Sequence, residues 1–471
     1  MFRVLKKSVH TGAGRLGTCA AAAMALSTAP AAAKDKANPL LKLAGAPAGL
    51  TLRGSYRSRI EVLDNQARAS GPENDFMWSH RAILFAEYDT GPIRIGGELR
   101  DARAAGQRPN STAGVGEVNS LEPVQAYLAA DLGELFSAGS TAALTLGRVT
   151  LEIGSGRQIA EPDFPNSVNS YTGAVFEWNS QAEDRLVGFW TMPSTRLPNK
   201  PSDVHANGVK LDRMSDDLSL YGLSFTKADL FGGALGEAYA LRLEEQDSPE
   251  YPTRNRRLTI LGARVSRAPA RGKLDFEVEA IRQVGLARAS ARPADENDRE
   301  VEAYLVHVEI GRKGTDDWSI RPSLQFDIAT GDDRDPTKLT RFDPLFGAPR
   351  GDFGPTSLYG AVTRSNLMSV GARVEVTPSK RTDAALMTRA LWLNSPVDSF
   401  AATGVQDRTG ASGRWAGVQF EGRVRHWILP KRLRVEGGAA WLAKGRFLRD
   451  APNVSCRGDS HFGYLDLTVS F

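Results

Sequence analysis

Cysteine is nearly absent from this 471-residue chain, and the two present, Cys19 and Cys456, lie at opposite ends of it. Cys19 falls in the N-terminal leader described below, so the remaining single thiol excludes an internal disulfide framework. The six histidines (His10, His80, His205, His307, His426, His461) show no ligand spacing, and no zinc or other metal centre is expected. Long apolar runs are missing as well. After the leader at most 13 consecutive residues are uncharged, as from Leu135 to Gly147 or Phe164 to Phe176. A membrane-spanning helix needs about 20. No G-x-S-x-G, H-E-x-x-H or phosphate-binding loop occurs, so neither an enzymatic activity nor a cofactor is expected. The one G-x-G-x-x-G, Gly12 to Gly17, has no strand before it.

The leader is distinctive. Residues 1–33 carry Arg3, Lys6, Lys7 and Arg15, then a mainly apolar stretch ending in Ala31, Ala32 and Ala33. A basic start, an apolar middle and an A-x-A exit form a secretory signal peptide, with cleavage expected before Lys34. Thr18 is too bulky to precede a lipidated cysteine, which argues against Cys19 as a lipid anchor. The whole chain holds 59 basic and 55 acidic residues. Removing the four basic residues of the leader leaves a neutral chain, and nucleic acid is not expected as a partner.

Period-two alternation dominates the rest. In the final stretch GYLDLTVSF, Leu465, Leu467, Val469 and Phe471 share one parity, and Tyr464, Asp466, Thr468 and Ser470 the other. That is a strand with one apolar and one polar face. The pattern recurs at 50–62, where Tyr56, Ile60 and Val62 oppose Arg53, Arg57, Arg59 and Glu61. It recurs at 318–328, 274–279, 416–425 and 433–444. Further candidates lie near 78–89, 93–100, 123–132, 142–152, 173–178, 185–192, 218–226, 235–245, 257–266, 301–311, 366–376 and 382–393, making about eighteen strands.

A soluble sandwich would bury the apolar faces, whereas an outer-membrane barrel turns them to lipid and the polar faces to a lumen. Many polar faces here carry Arg with Glu or Asp at mid-strand, as a lumen requires. Short breaks such as 89–92 and 314–317 alternate with long polar segments near 101–120, 153–170, 193–217, 246–256, 286–299, 329–364 and 396–413. One-sided long loops are typical of outer-membrane barrels. The expected fold is therefore all-β, a transmembrane antiparallel up-and-down barrel of about 18 strands. Its expected parts are a signal peptide over 1–33, a linker over 34–48 and the barrel over 49–471, placed in a Gram-negative outer membrane with lipid around it. Pro322, inside an otherwise good strand, removes one ladder hydrogen bond and suggests a bulge. A secreted β-rich polysaccharide lyase or hydrolase is the alternative, and it would bury its apolar faces in a soluble core.

Two stretches, LGRVTLEIGSGRQIAEPDF near 145–164 and RFDPLFGAPRGDFGPTSLYGAVTRSNL at 341–367, resemble the alginate export family of outer-membrane barrels. Gly147, Arg148, Gly156 and Arg157 match the first motif. Asp343, Pro344, Leu345, Phe346, Gly347, Arg364, Ser365, Asn366 and Leu367 match the second. The chain departs at 169–173, where Asn-Ser-Tyr-Thr-Gly stands in place of an Arg followed by Asp-Gly. The resemblance implies an 18-stranded barrel that passes an acidic polysaccharide such as alginate through an arginine-lined lumen. It also implies periplasmic export proteins as partners, and a lid or plug.

Uronate carboxylates leaving water need replacement donors, and the guanidinium fork matches a carboxylate. Passage also requires acidic residues to interrupt the arginines. The expected pore-lining residues are Arg53, Arg57, Arg59, Arg100, Arg321, Arg364, Arg423, Arg425 and Arg434, with Glu98 and Asp327, and with Arg148 and Arg157 beside a loop that could fold inward. The bland alternative for each arginine is a pairing that only stiffens the barrel. A general or small-solute porin is the second functional expectation. Asp327, Asp332, Asp333 and Asp335 lack the spacing of a calcium loop and read as a solvated turn. FDPLFG at 342–347 reads either as a plug or as a turn with buried aromatics.

Overall fold

The structure is a computed structural model that describes residues 47–348 and 350–471. The expected signal peptide, and the linker up to residue 46, lie outside the described residues. Among the described residues nineteen strands form one closed sheet, antiparallel except at one two-residue strand, in which each long strand pairs with its sequence neighbours. In chain order they are β1 (Leu50–Asp64), β2 (Asp75–Asp89), β3 (Ile93–Ala105), β4 (Asn119–Gly133), β5 (Thr141–Val149), β6 (Tyr171–Asn179), β7 (Arg185–Pro193), β8 (Leu218–Phe231) and β9 (Ala234–Glu245). There follow β10 (Arg257–Arg267), β11 (Leu274–Arg288), β12 (Asp298–Arg312), β13 (Arg321–Ala329), β14 (Lys338–Leu339), β15 (Leu367–Ser379), β16 (Thr382–Trp392), β17 (Trp415–Leu429), β18 (Leu433–Lys444) and β19 (Ser460–Ser470). The two-residue β14 runs parallel to β12, and β13 pairs directly with β15, so eighteen strands make the wall. β1 pairs with β2 on one side and β19 on the other, which closes the ring.

Alternation decides which way each side chain points. On β1, Arg57, Arg59 and Glu61 are buried inside while Tyr56, Ile60 and Val62 are exposed outside. On β19, Leu465, Leu467 and Val469 are exposed while Asp466 and Thr468 are buried. A closed ring with an apolar exterior and a charged interior satisfies every backbone group without an edge, so it can lie in lipid. Exposed aromatics gather at both rims, with Phe76, Trp78 and Trp441 at one and Tyr88, Phe136 and Phe231 at the other. No helix among the described residues is long and apolar enough to cross a membrane.

Pro322 produces no bulge. The β12 ladder ends at Gly311↔Ser323, one residue short of it, so the missing N–H falls at the start of β13. The bulge of this kind lies at Pro123 instead, where Glu98↔Gln125 is followed by Leu99↔Pro123. Trp318–Ile320 precede β13 rather than belonging to it, and the candidate at 142–152 stops at Val149 because the chain turns inward there.

Connections alternate between short turns at one rim and long loops at the other. The long loops include two that the pattern did not mark, 65–74 and 445–459. The apolar core lies inside the barrel mouth, where these loops pack on one another and on inward-facing strand residues such as Leu220, Leu241 and Leu305. Leu151, Ile153, Ile159 and Phe164 of loop 150–170 join Phe342, Phe353, Leu358 and Tyr359 of loop 330–366, together with Phe400 and Phe447.

Candidate functional site

Two loops fold into the lumen and meet there. Ile159 pairs with Phe346 in a short parallel bridge, and Phe342 is fully buried, so FDPLFG belongs to a plug inside the barrel. Gly347 sits so close to loop 150–170 that a Cβ would lie 2.0 Å from the Arg157 carbonyl oxygen, which is why only glycine fits. Gly147 has φ +127°, and a Cβ there would lie 2.4 Å from the Ala126 carbonyl, letting β5 pack tightly on β4 beside Arg148.

The wall arginines hold these loops. Arg57 donates to the carbonyls of Asp163 (2.6 Å), Phe164 (2.8 Å) and Pro165 (3.0 Å) and to Asn166 Oδ1 (2.8 Å). Arg59 donates to Asp466 (2.9 Å) and to the Phe164 carbonyl (2.7 Å), and its guanidinium lies 3.7 Å over the Phe164 ring. Arg81 donates to Asp163 Oδ1 at 2.8 Å, and Arg434 lies 3.8 Å from the other carboxylate oxygen. Burial alone would raise the Asp163 pKa, but Arg81 and Arg57, with Arg434, hold it well below the usual carboxylate range.

A second hub centres on Arg157, which donates to Asp352 (2.9 Å), Glu277 and Glu279. Burial would lower its pKa, but Asp352 and the two glutamates raise it, so Arg157 stays charged. Asp352 lies in a helical turn, Arg350–Phe353, of loop 330–366 and also accepts from Arg364. Burial would raise the Asp352 carboxyl, but Arg157 and Arg364 hold it well below its usual value. Asp327 lies apart from the other aspartates of its segment, bonded to His307 (2.6 Å), Arg389 (2.8 Å) and Ser369 (3.1 Å). Asp332 instead meets Asp398 through its backbone N–H, and Asp335 caps Thr337.

Arg148 donates to Ser170 Oγ (2.7 Å), with Glu122 at 2.5 Å and Asp212 at 3.4 Å. Ser170 belongs to the segment where the family motif departs. Arg321 is shared among Asp275, Glu309 (2.6 Å) and Glu375 (2.7 Å). Arg423 pairs with Asp383 (3.0 Å), Arg425 with Glu436 (3.2 Å), and Arg100 with Glu98 (2.7 Å). Arg53 differs: it faces the interior, is exposed, and makes no ion pair among the described residues, its guanidinium lying 5.1 Å over the Phe85 ring. It lines a cavity of about 580 Å³ with Arg81, Arg94, Arg100, Glu98 and Tyr127, roofed by Glu161 and Asp163 of loop 150–170. Arg53, Phe85 and Arg94 lie toward the short-turn ends of their strands, so the cavity belongs to that half of the barrel.

The residues that pattern reasoning missed are Arg81, Asp163, Glu277, Glu279, His307, Asp352 and Arg389. Asp163 and Asp352 fall inside the two family-like stretches, which is the signal that could have found them.

A protein-family model described as alginate export matches residues 49–458. The chain belongs to the alginate export family. No curated protein matches it. Among solved structures, this alginate export family member is similar in fold to Acinetobacter baumannii OccAB1, at 11% identity and TM-score 0.56, covering 90% of this chain and 96% of that one. OccAB2 of the same organism gives 11% and 0.55, covering 90% and 98%. Pseudomonas aeruginosa OccK8 (OprE) gives 10% and 0.54, also covering 90% and 98%. Family membership together with the lipid-facing exterior makes the protein an outer-membrane channel.

Proposed function

We propose that this channel favours anions and passively passes an acidic polysaccharide such as alginate, or its pieces. The observation that carries the reading is Arg53, a guanidinium without an ion-pair partner among the described residues, in a cavity where Arg100 and Arg81 are already paired. A uronate carboxylate reaching this cavity finds open donors at Arg53, while Glu87 and Glu98 nearby limit how tightly it is held. The polymer rests on family membership, as do periplasmic export proteins that would meet the barrel at its short-turn rim.

The packed pair of loops in the mouth favours a second reading, a small-solute channel. In this conformation the free volume beneath them suits a few sugar units rather than a continuous polymer.

Reversal potentials in a planar bilayer under a KCl gradient test the first reading, with and without added polyuronate. Anion selectivity is expected, with block by the polymer and a shift toward cations in Arg53→Glu. A non-selective or cation-selective current unaffected by polymer would overturn the polyuronate reading in favour of small solutes.

A further inference from the structure

His307 is fully buried on the inner face of β12, and in the sheet register it stands directly between Glu279 on β11 and Asp327 on β13. Its Nδ1 is 2.6 Å from Asp327 Oδ1. Its Nε2 has no hydrogen-bond partner among the described residues. One imidazole nitrogen, one oxygen of Asp327 and one of Asp352 all lie within 4.8 Å of one another. The wall histidine therefore faces a carboxylate carried by the plug loop.

The charges around it are unevenly matched. Four carboxylates (Glu277, Glu279, Asp327, Asp352) meet three guanidiniums, Arg157, Arg364 and Arg389. Arg264 also reaches Glu277 at 3.1 Å but is shared with Glu237. The next inward neighbour on β12, Glu309, is taken by Arg321 and Gln325. A neutral imidazole leaves the cluster one negative charge in excess, and a protonated one balances it. A divalent cation fits less well. Both Asp352 oxygens already accept from Arg157 or Arg364, and those of Asp327 are occupied by His307, Arg389 and Ser369.

We propose that His307 is a proton-binding site that latches the loop carrying Asp352 inside the lumen, so that acidification closes the channel and a rise in pH loosens it. The proton adds an N–H donor to an imidazole flanked by carboxylates, and Asp352 feels its charge only while the loop is inserted. Binding the proton thus favours the inserted state by the difference between the two. Histidine is the side chain whose unperturbed charge change falls between pH 5 and 8, so that is the range to scan. The inference rests on the channel alone and not on the identity of its solute.

The test is KCl conductance of the full barrel in planar bilayers at pH 8, 6.5 and 5, with no polysaccharide present. Wild-type conductance is expected to fall several-fold from pH 8 to 5, and His307→Gln to be flat over that range. Asp212→Asn is expected to keep the fall, which separates the latch from a loop carboxyl that burial pushes up to about 6. A wild-type conductance independent of pH, or an unchanged fall in His307→Gln, would overturn the proposal. A folded barrel shows a compact band in SDS before heating. Should His307→Gln lack that band, Asp352→Asn decides by the same pH profile, since removing the loop's carboxylate must also remove the fall.

Discussion

Arg157 carries one positive charge against three carboxylates, and Glu279 and Asp352 have almost no contact with solvent. Removing the guanidinium would leave Glu279 buried without its ion-pair partner while Asp352 keeps Arg364, and a broken buried pair costs about 3–5 kcal/mol. Arg157→Ala is expected to lose stability of that order in chemical denaturation of the detergent-solubilised barrel. Arg157→Lys is expected to fall between it and the wild type, because an ammonium keeps the charge but not the fork that spans two strand carboxylates and a loop carboxylate. Equal midpoints for all three proteins would remove Arg157 from its place as the hub. The same logic explains why an arginine count is a poor guide to open binding groups. Arg57, Arg59 and Arg321 face inward as alternation predicts, and Arg157 enters the lumen on its folded-in loop, yet their donors go to loop carbonyls and neighbouring carboxylates. Arg53 alone among the expected pore arginines keeps its fork open to the cavity, and nothing local in its sequence distinguishes it from Arg57.

Loops behave differently from the wall that carries them. Loop 194–217 is tied down through Asp212, which accepts from Asn119 (2.8 Å) and the Leu197 N–H (3.0 Å) while lying near Glu122. Burial pushes its carboxyl up to about 6, and Glu122 adds to the rise. A folded-state pKa above the ordinary carboxyl value near 4 makes ionisation unfavourable to the docked loop. The Asp212 contribution is therefore complete below about pH 4 and is lost as pH rises through about 6. Amide exchange at Leu197 and its neighbours is expected to be slower at pH 5 than at pH 7.5 after correction for intrinsic rates, and Asp212→Asn to abolish the difference. Equal protection in wild type would refute this. Strands were legible because their signal is local: Ile60 and Arg59 declare opposite faces within two residues. A plug is one of two readings of FDPLFG and is implied by the family resemblance, but its contacts were not legible, because Arg59 meets Asp466 and Phe164 across more than a hundred positions of chain and loops carry no period to extrapolate. The departure at 169–173 shows the same limit. Ser170 bonds to Arg148, a contact visible only once β5 and β6 are paired.

The whole molecule inverts the arrangement of a soluble protein, with leucine and valine outside and arginine inside. Leu465 is 57% exposed at the middle of β19, next in sequence to the buried Asp466 that pairs with Arg59. Placing a charge there would put it near the bilayer midplane, where arginine costs about 2–4 kcal/mol. Leu465→Arg is expected to lower folding stability by that amount in lipid vesicles, read from denaturant titration of refolding. A soluble sandwich with the same strands would bury Leu465, and its stability would not depend on lipid.

The seam between β1 and β19 has a further consequence. Ten register pairs, from Ser55↔Ser470 to Asp64↔His461, join the first strand to the last, and no other strand can take their place. Until β19 is in position, β1 has a whole side of open hydrogen-bonding groups, the kind of edge that recruits other chains. Every strand between them can pair with a sequence neighbour early, but the clasp cannot fasten before the belt is complete. The unclosed sheet therefore has two open edges, on β1 and on β19, and both are satisfied together in the one step that closes the seam.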